Sequence, residues 1–188
     1  MFKSVFLKYI SAFMLIYIGC MLILFSVINT QINMYSVRTK TNTLSNASLF
    51  IADTVEDDYE SFLRSATVGG VNFVNYVFFN TKEISHTVDL MGANPDKILV
   101  LITDDRGNIL LTGGFEGAKD YLDEVSGKKT KLPDSLISSL KKNDNDNFIS
   151  DLEGLLDEDY VVYARAVHGK SDEMIGTVVT CSTRSGVN

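Results

Sequence analysis

The stretch KILVLITDDRGNILLTGG, Lys97 to Gly114, decides how this chain folds. Ile98 to Thr103 is a continuous apolar run of strand length, the pattern of a strand covered on both faces. Asp104 to Asn108 then supplies a turn. Gly107 tolerates a positive φ angle, and the Asp and Asn side chains bond locally to backbone. Ile109 to Gly113 returns as the partner strand, so the centre of the chain is a β-hairpin with Asp104 and Gly107 as its turn residues.

Downstream of the hairpin, EGAKDYLDEVSG and PDSLISSLKKN are short helical candidates. Pro133 suits an early helical position, and Lys141 and Lys142 suit a C-terminal turn. NFISDLEGLL begins as a strand, and DYVVYARAVHG and EMIGTVVTCST form a second hairpin across Lys170 to Asp172. Upstream, Leu44, Ala47, Ile51, Val55, Tyr59 and Phe62 recur at spacings of three and four, which predicts one apolar helical stripe. Gly69-Gly70 interrupts it. A second periodic set at Val71, Val74, Phe78, Ile84, Val88 and Met91 predicts another helix, ended before Pro95, which disfavours helical geometry at Asn94. The order is two helices, two strands, short helices, three strands.

The N-terminus is of another kind. Tyr9 to Val37 holds no charged side chain, and Tyr9 to Ile28 is almost wholly apolar. Twenty helical residues span roughly 30 Å, the hydrocarbon thickness of a bilayer. The run is too long for a signal peptide and lacks a small-x-small cleavage site, so it is expected to stay as an anchor. Lys3 and Lys8 precede it closely while Arg38 and Lys40 come ten or more residues later, which keeps the N-terminus cytoplasmic. From Thr41 onward 13 Lys and Arg face 24 Asp and Glu. So acidic a surface repels nucleic acid. Cys20 lies in the apolar span and Cys181 in the outer part, so they cannot pair.

A single N-terminal span, a long juxtamembrane helix, a hairpin of the type LITDDRGNIL and a closing hairpin ending GTVVTCST resemble the extracytoplasmic PAS-like (Cache) sensor domain of bacterial membrane histidine kinases. The resemblance implies an α+β fold, an antiparallel five-stranded sheet with long helices packed on one face. It divides the chain into a cytoplasmic N-terminus (1–8), a transmembrane helix (9–28), a juxtamembrane segment (29–40), a sensor domain (41–183) and a tail (184–188) leading to a second span that the chain does not contain. It implies a homodimer in the membrane, an unidentified small ligand or protein signal, and a response regulator reached through a cytoplasmic kinase. Neither a cofactor nor nucleic acid is expected. His86 lacks the sequence context of a phosphoacceptor and falls on the polar side of its helix. With no nucleophile–base pairing to argue, catalysis within this chain is not expected.

Two sets of residues carry candidate chemistry. Tyr163 and Arg165 share one face of a strand, where a guanidinium either clamps an anionic ligand or pairs with an acid of the fold. Asp144, Asp146, Asp151 and Glu153 belong to a run of carboxylates that either holds a divalent cation or forms a solvated loop; Phe148 breaks the calcium-loop pattern. His168, beside Gly169, is assigned no role. Rival readings are the sensor end of a chemoreceptor or cyclic-dinucleotide enzyme, or a membrane-anchored binding or assembly protein without a signalling role.

Overall fold

A computed structural model describes residues 2–65, 72–92, 97–126 and 129–183. Gly69-Gly70, Val71 and Asn94-Pro95 lie outside the described residues. The chain divides into two compact units, Met1–Thr39 and Lys40–Asn188. One helix, α1 (Phe2–Ser65), contributes to both, so the juxtamembrane segment, residues 29–40, is helical and continuous with the apolar run. In the first unit, Phe13, Leu15, Ile16, Leu22, Ile23 and Phe25 are all exposed. A helix apolar around its whole circumference, with no protein covering it, is long and apolar enough to cross a membrane.

The second unit is an α+β domain. Its elements are α2 (Phe73–Phe79), α3 (Thr81–Gly92), β1 (Leu99–Asp104), β2 (Ile109–Gly113), α4 (Ala118–Val125), α5 (Asp134–Leu140), β3 (Asn145–Ser150), β4 (Tyr160–His168) and β5 (Met174–Thr183). The helical pattern running from Val74 to Met91 is therefore two helices. They part at Asn80, whose backbone N–H and side-chain amide both donate to the Tyr76 carbonyl and close off α2. The five strands are antiparallel in the order β2-β1-β5-β4-β3, so the first and last strands of the sheet lie side by side.

Opposed residues on neighbouring strands point to the same side of a sheet, so register defines its two faces. Val100, Thr180 and Tyr163 line one face, with Ile102, Val178 and Arg165 beside them. The stripe of α1 covers this face: Leu44, Ala47, Ile51, Val55 and Tyr59 are buried, as the spacing requires. At Gly176 an added Cβ would stand 2.5 Å from the Phe73 ring, so this glycine lets α2 lie close against β5. The opposite face carries Leu99, Leu101, Val162, Ala164, Val179 and Cys181, packed against Leu122 of α4, Leu136, Ile137 and Leu140 of α5, and Leu155. Covered on both sides, Leu99 to Ile102 are fully buried. The long helices thus occupy one face and the short ones the other.

The hairpin turn takes the expected form. The Asp104 carboxylate accepts the Arg106 and Asn108 backbone N–H groups at 3.0 and 2.8 Å and the Asn108 side-chain amide at 2.7 Å. Gly107 has φ of 85°, the left-handed region that costs other residues strain.

Candidate functional site

The surface that joins α1 to the sheet combines buried charge, polar contacts and an apolar stripe. Lys40, at the start of the second unit, is buried, and its ammonium donates to the Thr183 carbonyl at 2.6 Å at the end of β5. A buried ammonium needs such an acceptor, and a charge-assisted bond is stronger than a neutral one. One turn further along, the buried Thr180 hydroxyl lies 3.1 Å from the Leu44 carbonyl of α1 and 3.2 Å from the Tyr163 carbonyl of β4. Three turns beyond, the Glu56 carboxylate accepts the His168 backbone N–H at 2.7 Å. The His168 ring stands between two acids, with Nδ1 3.8 Å from Glu56 and Nε2 3.6 Å from Asp144. These separations are too long for direct hydrogen bonds from the ring.

Tyr163 and Arg165 do share a face, and it is the one under α1. Arg165 is half-buried opposite Asn145 and Val178, and its Nε is enclosed without a hydrogen-bond partner. Among the described residues it forms no ion pair with any carboxylate. The four acidic candidates are dispersed. Asp144 faces His168, whereas Asp146 sits on the opposite face of the sheet and accepts the Ser139 hydroxyl at 2.8 Å. Glu153 has a left-handed backbone with φ of 57°, its carbonyl held by Lys129 at 2.6 Å. Asp146 and Glu153 line one cleft of about 390 Å³ between α5 and β3, and Asp151 is not part of it. Among the described residues no three His, Cys, Asp or Glu side chains converge as a metal site would require.

Sequence reasoning passed over Lys40, Glu56 and His168, because each is an ordinary polar residue whose partner lies far along the chain. It also missed Tyr121. This phenol bonds both the Asp157 carboxylate and the Tyr160 hydroxyl, fastening α4 to the start of β4. Burial, then these two bonds, raise the Tyr121 phenol well above its ordinary range. Burial alone does the same to the Cys181 thiol, which makes it an inert core residue. His86 is exposed on α3.

No family model and no curated protein matches this chain. Among solved structures, the ligand-binding domain of the Campylobacter jejuni chemoreceptor Tlp3, in complex with L-valine, is similar at 14% identity and a TM-score of 0.35. The likeness covers 82% of this chain, which spans only 62% of that one. At that level it identifies neither a ligand nor an output for this chain.

Proposed function

We propose that the chain is the membrane-anchored, signal-sensing part of a receptor, with the outer unit outside the cell and the N-terminus in the cytoplasm. One observation carries the reading: a single helix holds both the apolar segment and the stripe that the sheet grips through Lys40, Leu44 and Glu56. A signal acts by favouring one of two packings of α1 on the sheet, and only its differential affinity for the two can shift them. The resemblance of the sequence to sensor kinases supports a histidine kinase as the output, in a homodimer, with a response regulator as its substrate. Catalysis then belongs to that kinase and not to this chain. A chemoreceptor output would use the same coupling surface.

The test is a chimera joining this chain, through a second membrane span, to the kinase region of a receptor with measurable autophosphorylation. Lys40→Met removes the tie between α1 and β5 and is expected to shift basal activity by about threefold or more. That corresponds to a fraction of the roughly 1.5–3 kcal/mol carried by a charged hydrogen bond. Unchanged basal activity in a folded Lys40→Met chimera would sink the reading.

A further inference from the structure

A second cleft, away from the coupling residues, opens where the C-terminal turns of α1 meet α2 and α3. Asp58, Ser61, Phe62, Tyr76, Asn80 and Glu83 line it, and its volume is about 440 Å³. Asp58 and Glu83 are exposed, and neither forms an ion pair among the described residues. Arg64, one turn beyond Glu60 on α1, is engaged by Glu60 at 2.7 Å and does not neutralise them. Lys82 is exposed on α3 next to Glu83 and likewise makes no ion pair among the described residues.

The wall of the cleft is aromatic. Phe62 and Tyr76 have ring centroids 5.6 Å apart, tilted by 55°. Tyr76 is 2% exposed as a residue, but its hydroxyl makes no hydrogen bond with any described residue and is not sealed in the core, so the phenol oxygen keeps open surface where it lines the cleft. Burial raises the Tyr76 phenol, and the charges of Asp58 and then Glu83 raise it further, so the negative potential of both acids reaches this ring.

We propose that this cleft binds a small organic ammonium ion. Asp58 and Glu83 would neutralise its charge, the half-buried Phe62 ring would present a π face, and the Tyr76 oxygen would accept an N–H where one is present, its own ring being packed against Tyr59, Phe62 and Phe73. Anions are repelled by the same carboxylates. Hard metal ions need six or more oxygen ligands or a near-ideal octahedron, which two carboxylates beside two rings do not provide. An ammonium ion with an alkyl body uses all three features together, since cations are drawn to ring faces within about 6 Å. The inference deepens the sensor reading, because the cleft rests on α1 itself. Binding is measured without any output, so a failure here leaves the chimera experiment to judge the sensor reading by itself.

The experiment is isothermal titration of the full chain in nonionic detergent micelles at low ionic strength. The probes are n-butylammonium and choline, with n-butanol as the uncharged control. Binding of at least one ammonium ion and none of n-butanol is expected. A preference for n-butylammonium that Tyr76→Phe abolishes would show that the phenol oxygen accepts an N–H; a preference for choline would show that the Phe62 ring face dominates. Asp58→Asn and Glu83→Gln should each weaken affinity about three- to tenfold, as expected for partly exposed charges. Both side chains are exposed, so the variants should keep the wild-type melting curve, and Asp58→Glu should restore most of the affinity. Asp53→Asn, an exposed acid of α1 outside the cleft, should change nothing. No binding of either ammonium ion, or equal weakening by Asp53→Asn and Asp58→Asn, would overturn the proposal.

Discussion

The two faces of the sheet are covered in different ways. Beneath α4 and α5 the contact is made of Leu99, Leu101, Leu122, Leu136, Leu140 and Leu155, with Thr103 and Thr177 paired at one end and Ser126 after α4 as its buried hydroxyls. Beneath α1 the apolar stripe is interrupted by polar groups: Lys40, Ser48, Thr180, Ser182 and Arg165 all lie in or beside it. An apolar, close-packed contact resists displacement, because any shift opens a cavity with its full cost. Hydrogen bonds are directional, and each contributes only about 1 kcal/mol net, so a second arrangement of α1 is within reach. The leucine face is closed by apolar packing, and the α1 face combines an apolar stripe with directional polar contacts.

Four substitutions test that contrast, two on each face. Leu155→Ala, in the leucine cluster, should cause the largest loss, roughly 2–5 kcal/mol, read as a fall in the unfolding midpoint. A loss under 1 kcal/mol would mean that this face is loosely packed and the contrast is false. Gly107→Val should cost about 1–3 kcal/mol, since a β-branched residue is strained at positive φ. Its Cβ would also stand 2.9 Å from Ile137 Cγ1 of α5, so the damage falls on the leucine face. An unchanged melting temperature would show that this turn is built differently.

On the α1 face the effects should be smaller. Thr180→Val removes the hydroxyl shared between Leu44 and Tyr163 and should cost about 1 kcal/mol. Hydrogen exchange at the buried turns of α1 should quicken more than at β1; equal protection of both would blur the two faces into one. Arg165→Met should change stability by less than about 0.5 kcal/mol, because no described carboxylate is left without its partner. A loss of about 3–5 kcal/mol would reveal a buried ion pair. Stabilisation of the wild type by a small carboxylate, absent in Arg165→Met, would make this arginine a ligand clamp.

Much of the fold was legible before any coordinates. The stripe from Leu44 to Tyr59, the Asp104–Gly107 turn and the β4–β5 hairpin all depend on interactions within one or two turns of chain, which periodicity and turn chemistry report directly. The single helix expected around Val74 to Met91 was not so simple. Asn80 is an unremarkable polar residue until its bonds to Tyr76 are seen. Tyr163 and Arg165 were correctly paired on one face by alternation alone, but which layer covers that face could not be read. Alternation gives sides, and it does not say what lies on them.

The sequence by itself determined that the chain carries an uncharged, apolar helix of membrane-spanning length and, after it, an acidic part with five strands and two hairpins. Those features follow from local composition, periodicity and turn chemistry. Tertiary structure alone decided the strand order that sets β1 beside β5, the grip of Thr183 on Lys40, and the meeting of Glu56, His168 and Asp144. The reason is separation along the chain. Each of these contacts joins segments whose encounter depends on how the whole sheet closes, and no local pattern records a partner on another element, as far off as 112 residues for Glu56 and His168 and 143 for Lys40 and Thr183.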